Sequence, residues 1–132
     1  MFSYIYHVND IKLTNAEESV LKILWEKEKA FIKEVIEEIP GKKPAYSTVS
    51  TIMRILERKG YVSYDSFGKS HRYFPLIKRE DYTKGVLSHI MNTYFGGDFR
   101  QIVSFMSSSN NISISELDEI LSELKNQKKN DT

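Results

Sequence analysis

Tyr46-Ser47-Thr48-Val49-Ser50-Thr51-Ile52-Met53-Arg54-Ile55-Leu56-Glu57-Arg58-Lys59-Gly60 decides the fold. At about 100° per residue, Val49, Ile52, Met53 and Leu56 gather on one side of a helix. Ser47, Ser50, Thr51, Arg54 and Arg58 gather on the other, with Glu57 pointing aside. One side is apolar enough for a core; the other is small, hydroxylated and basic. Gly60 supplies the stop, so the spacing predicts a helix from Tyr46 to Lys59.

Downstream, the period changes from helical to alternating. Tyr61 to Asp65 is rich in β-formers, Ser66-Phe67-Gly68-Lys69 carries turn chemistry, and Ser70 to Phe74 is a second strand closed by Pro75. This predicts a hairpin with Lys69 at its tip and Arg72 on the return strand. Upstream, Thr14-Asn15-Ala16-Glu17 has the form of a capping box. Val20, Leu21 and Leu24 then recur at helical spacing, which predicts a helix from about Asn15 to Glu28. Ile32, Val35, Ile36 and Ile39 mark a second, short helix stopped by Pro40-Gly41. Three helices followed by a hairpin is the order of a winged helix-turn-helix, whose third helix faces outward.

Beyond Pro75 the helical pattern returns. Tyr82, Val86, Ile90, Met91 and Tyr94 mark a segment from about Lys78 to Phe95, broken by Gly96-Gly97. Phe99, Ile102, Val103 and Met106 mark another, and Ser107 to Asn111 reads as a loop. Ser113 or Ser115 can cap a last helix bearing Leu117, Ile120, Leu121 and Leu124 on one face. These tail helices are apolar on one side but too few to close a core, and a twofold copy would bury that side. The dimer contacts expected are Tyr82, Val86, Ile90, Tyr94, Phe99, Leu117, Ile120 and Leu121. The aromatic series Tyr82, Tyr94, Phe95, Phe99 and Phe105 could instead line a ligand cage; core or dimer contact is the preferred reading.

The expected architecture is mainly α with a small β-hairpin. It comprises an N-terminal arm (1–12), a winged-helix head (13–77), a helical dimerisation region (78–126) and a frayed tail (127–132). With 40% hydrophobic and 28% charged residues, the chain is an ordinary globular one and not a disordered one. The absence of cysteine excludes disulfides and thiolate chemistry and fits the cytoplasm. No apolar run approaches the length of a membrane span. The net charge is only +1, but residues 42–78 carry 8 basic and 2 acidic groups. An anionic partner, nucleic acid above all, fits that middle third.

His7, His71 and His89 lack ligand spacing and read as surface or wing residues, so neither a metal nor a cofactor is expected. Glu17-Glu18 and Glu37-Glu38 read as solvated helix faces. No nucleophile elbow, phosphate loop or dinucleotide fingerprint is present, and no enzyme activity is expected.

Four stretches carry a resemblance. They are Leu13-Thr14-Asn15-Ala16-Glu17 with Ile23-Leu24-Trp25; Thr48 to Ile52 followed by Leu56 to Tyr61; Gly68 to Leu76; and Phe105 to Leu124. In this order and spacing the chain resembles the BlaI/MecI/CopY penicillinase-repressor family of bacterial transcription regulators. The resemblance implies a homodimer that binds palindromic operators and represses transcription. It also implies an inducing partner, in several members a sensor-linked protease that cuts the tail. Three departures stand out. Without cysteine the copper-sensing branch does not apply. The Asn-Phe pair cut in the penicillinase branch is absent, the nearest positions reading Ser104-Phe105-Met106. Phe31-Ile32 stands where the family often has Ser or Thr to cap the second helix.

On this reading helix 46–59 enters the major groove and wing 61–75 lies on the backbone. Arg54 is the candidate base contact, since its fork matches guanine O6 and N7. Ser47, Ser50 and Thr51 allow close approach, and Tyr46 can bond a phosphate at the helix start. Lys42, Lys43, Arg58, Lys69 and Arg72 are candidates for holding the phosphate backbone. The competing reading is a winged-helix protein-interaction module that binds no DNA.

Overall fold

Thr14 begins the first helix as its residues dictate. Its hydroxyl accepts from the Glu17 N–H at 3.1 Å, and the Glu17 carboxylate accepts from the Thr14 N–H at 3.4 Å. The computed structural model describes residues 13–109 and 111–131. The expected arm, residues 1–12, lies outside these, as do Asn110 and Thr132. The element order is α1 (Asn15–Lys27), β1 (Ala30–Phe31), α2 (Ile32–Glu38), α3 (Tyr46–Arg58), β2 (Val62–Phe67), β3 (Ser70–Pro75), α4 (Arg79–Tyr94), α5 (Phe99–Ser108) and α6 (Ile114–Asp131). The chain forms two compact units that divide between Leu87 and Ser88.

The first unit is a helical core closed by a small sheet. Leu21 and Leu24 of α1, Val35 of α2, and Val49, Met53 and Leu56 of α3 are fully buried together with Val62 of β2. Each such side chain stabilises the fold by about 1.5–3 kcal/mol. The sheet has three antiparallel strands in the order β1-β3-β2, one more than the hairpin expected. β1 adds only the pairs Ala30↔Tyr73 and Phe31↔Arg72. It follows Glu28, whose φ of +70° turns the chain out of α1. The hairpin is longer than its residues implied, because Ser66 and Phe67 pair with His71 and Ser70. The turn is therefore Gly68-Lys69 alone, and Gly68 holds a φ of +64° at its first position, as a two-residue turn requires.

Charged and polar groups lock this unit. Glu17 is buried and also accepts from the Lys59 ammonium at 2.8 Å. Glu18 accepts from the Tyr82 hydroxyl at 2.5 Å. The expectation that Glu17-Glu18 form a solvated face is thus corrected: both acids bind groups brought from distant sequence. Burial by itself would raise the Glu17 pKa. The hydrogen bonds from Lys59 and Thr14, with the lysine's charge, more than offset it and hold the carboxyl below the ordinary range. The Trp25 indole N–H donates to the Ile77 carbonyl at 2.9 Å, and its ring lies 5.6 Å from that of Tyr82.

Tyr82, expected on the dimer face, is therefore a core residue of the first unit, buried within one copy. Val86, one turn on, packs against the same core. The early turns of α4 belong to the head, ten residues further than the expected boundary at residue 77.

The second unit has a different character. α4 ends where the Phe95 and Gly97 N–H groups both donate to the Met91 carbonyl, with Gly96 and Gly97 at positive φ. Asp98 caps α5 by accepting from the Arg100 N–H at 2.9 Å. Ser113, not Ser115, caps α6, in a reciprocal pair with Glu116. α6 runs to Asp131, past the expected fraying point, since no Gly or Pro interrupts it. Phe95 and Phe105 pack ring to ring at 5.9 Å. Among the described residues, none from Ser88 onward is buried. Tyr94, Phe99, Ile120, Leu121 and Leu124 are all exposed.

Glu17→Gln should lower the stability of the chain at neutral pH by about 1–2 kcal/mol, through loss of the charge-assisted bond to Lys59. Because the folded pKa of Glu17 is depressed, its ionised form stabilises the fold above the unfolded carboxylate pKa. That contribution is lost as pH falls through the folded value. Denaturant titrations of both proteins should therefore show a gap that is open at pH 7 and closes in acid. A gap independent of pH would count against the ion pair.

Candidate nucleic-acid interface

α3 presents the face its residues predicted. While Val49, Met53 and Leu56 are buried, Ser47, Thr51, Arg54 and Arg58 are exposed, and Ser50 is half-buried at the edge. Ala45 at the N-cap supplies no side-chain acceptor, and the first turn holds no acid. The positive end of the helix dipole is therefore not neutralised by a local carboxylate. Tyr46, 53% exposed, stands at this end. The Thr51 hydroxyl donates to the Ser47 carbonyl at 2.9 Å. In that rotamer it keeps its lone pairs and methyl group for a ligand but not its proton.

The wing has two unlike faces, because successive residues of a strand alternate. Tyr64, His71 and Tyr73 share one. The Tyr64 ring lies 4.0 Å from that of His71 and 5.4 Å from that of Tyr73. Burial raises the Tyr73 pKa, Glu57, Tyr64 and Tyr46 add to the rise, and the Arg54 charge opposes it. This face therefore lies near Tyr46, Arg54 and Glu57 of α3. Glu57, expected to point aside, is close enough to act on it.

The other face carries Phe31, Phe67, Arg72 and Phe74. Phe31 and Phe67 meet edge to face at 5.8 Å, and the Arg72 guanidinium lies 5.9 Å from the Phe31 ring. Lys29 lies 5.5 Å from the Phe74 ring and 3.5 Å from the Asp65 carboxylate.

The candidate residues separate accordingly. Ser47, Ser50, Thr51, Arg54 and Arg58 lie on one stripe of one helix, and Lys69 is exposed at the wing tip. Lys42 is exposed in the link before α3. Arg72 is not on the wing face that adjoins α3. It is half-buried, its Nε has no hydrogen-bond partner among the described residues, and its guanidinium lies beside the Phe31 ring. Lys43 is exposed, and its ammonium donates to the carbonyls of Glu37 and Ile39. His71 is half-buried in the wing, and its Nδ1 lacks a hydrogen-bond partner among the described residues.

One feature of the head had no signal in the sequence. A cleft of about 350 Å³ is lined by Phe31, Ile32, Lys33, Glu34, Tyr46, Ser70 and His71. It draws on three segments far apart in sequence, so no local pattern announces it. Lys33, which helps to line it, could have been noticed only as an exposed cation on α2.

Known proteins have similar sequences. The penicillinase repressor of Bacillus licheniformis is 29% identical over 123 residues, covering 89% of this chain and 95% of that protein. The methicillin resistance regulatory protein MecI of Staphylococcus aureus (strain N315) is 26% identical over 110 residues, covering 83% and 89%. Among solved structures, hsRosR-S4, determined as a complex, superposes with a TM-score of 0.52 at 15% identity. It covers 78% of this chain and 91% of that one, a likeness of fold alone. The family model described as penicillinase repressor matches residues 13–126, and the chain therefore belongs to that family of transcriptional repressors, which are not enzymes.

Proposed function

We propose that the chain represses transcription in the cytoplasm as a homodimer, each head reading half of a palindromic operator. The observation that carries this is the outward stripe of α3. It is small, hydroxylated and basic, while the opposite stripe is locked into the core. A helix held in this way can enter a major groove without disturbing the fold. Arg54, at the middle of the stripe, is the residue for a guanine. Thr51, its proton already given to Ser47, suits a thymine methyl or an exocyclic amino group. Lys42, Tyr46, Arg58 and Lys69 hold phosphates, which position the helix but carry no sequence information.

The dimer is supported by the second unit. Ile90, Tyr94, Phe99, Ile120 and Leu121 are exposed, and among the described residues none from Ser88 onward is buried within one copy. Apolar surface of this extent is stabilised when a symmetric copy covers it. Leu117, half-buried, lies on the same apolar stripe of α6. The proposed dimerisation region starts where the head ends, near Ser88.

Two experiments test the reading. Arg54→Ala should weaken binding to a duplex selected by the wild type from a random pool by about 1–3 kcal/mol, and affect a scrambled duplex less. Lys69→Ala should weaken both duplexes alike and lower the salt slope by about one for each head that loses a phosphate contact. Should neither substitution alter any affinity, the head is an interaction module and not a DNA reader. Sedimentation of the wild type at micromolar concentration should show a dimer, and Leu121→Asp should shift it to a monomer. A wild-type monomer under those conditions would remove the tail from dimerisation.

A further inference from the structure

Lys42 and Lys43 are adjacent cations in the link between α2 and α3, and the fold uses them differently. α2 contains Glu34, Glu37 and Glu38 and has no basic residue in its last turn. Its C-terminal carbonyls and the negative end of its dipole lack the cation that would stabilise them from within. Lys43 supplies it from beyond the helix. Its Nζ donates to the Glu37 carbonyl at 2.9 Å and to the Ile39 carbonyl at 2.5 Å. Gly41, at a φ of +77°, lets the chain double back far enough for this reach.

The consequence lies on the other side of Lys43. Pro44 follows at once and restricts the backbone of Lys43 itself. Ala45 is the N-cap of α3, and its carbonyl accepts from both Thr48 and Val49. Only Pro44 and Ala45 separate the anchored lysine from Tyr46, the first residue of the reading helix. Lys42 is exposed beside it and, among the described residues, makes no such bond.

We propose that Lys43 is a positioning residue for DNA reading. Its ammonium is spent on the end of α2, and by fixing the link it sets the angle at which α3 is presented. This rests on α3 being the DNA-reading helix and revises the assignment of Lys43 to a phosphate.

The test compares Lys43→Met, Lys43→Arg and Lys42→Met in the full chain. Each is titrated at several salt concentrations against the selected duplex and a scrambled one. Lys43→Met should lower affinity for the selected duplex about tenfold, leave the scrambled duplex within about twofold, and keep the salt slope of the wild type. Lys43→Arg, which can still donate to two carbonyls, should restore most of the preference. Lys42→Met should weaken both duplexes and lower the slope. If Lys43→Met instead lowers both affinities together with the slope, Lys43 is a phosphate contact and the proposal fails. If it lowers both equally with the slope unchanged, the lysine serves folding alone, and the proposal fails again. A readout without DNA separates this inference from the functional reading. In the amide NMR spectrum, Lys43→Met should move resonances from Ile36 to Thr48 and leave Phe67 to Ser70 in place. Unchanged resonances from Ile36 to Thr48 would overturn the positioning role whether or not the protein binds DNA. A wild type with no preference between the duplexes would overturn the reading of α3, and with it this role in DNA reading.

Discussion

Glu17 joins two events that the head needs in register. Its carboxylate closes the first turn of α1 and, from the same buried position, receives the ammonium of Lys59 at the exit of α3. The start of one helix and the end of another, 42 residues apart, are thereby tied at one atom. Burying an acid is costly unless it is paired and hydrogen-bonded. Here the Thr14 amide and the Lys59 ammonium both donate to its Oε1, and the acid becomes an anchor. With its C-terminal end held in this way and its apolar stripe in the core, α3 has one stripe left to offer outward.

The two units solve the burial problem differently. The head closes its core within one copy, drawing in the first turns of α4 through Tyr82 and Val86. The second unit leaves Tyr94, Phe99, Phe105, Leu121 and Leu124 exposed and satisfies its helix ends through Asp98, Ser113 and the Gly96-Gly97 exit. Helices of this length draw most of their stability from packing of an amphipathic face, which the proposed second copy would supply.

Much of this was legible in the residues. The periodicity of Val49, Met53 and Leu56 marked α3 within one residue, and Thr14-x-x-Glu17 marked the start of α1, because both signals are local and strong. What escaped is non-local or too short. β1 has two residues and exists only because β3 is there to pair with it. The partner of Glu17 lies at Lys59, and that of Lys43 is a pair of backbone carbonyls, which no side-chain pattern advertises. Tyr82 fitted a tail stripe by spacing, yet its hydroxyl is drawn to Glu18 and its ring to Trp25 and Tyr61. The α3 stripe was recognisable because amphipathicity exposes what it does not bury. The face of the wing that carries Arg72 was not, since strand alternation alone does not tell which face adjoins the helix.

Phe31 belongs at once to β1 and to the N-cap of α2, where its amide donates to the Glu34 carboxylate at 2.8 Å. No residue separates the strand from the helix. A chain built this way has no slack at that junction: one inserted or deleted residue would rotate α2 by about 100° relative to the strand that aligns it. Length variation should therefore be barred between Ala30 and Ile32 and tolerated at the exposed Gly68-Lys69 turn. The head has a fixed gauge on one side and an adjustable reach on the other, so a wing can lengthen or shorten while the frame that carries it stays the same.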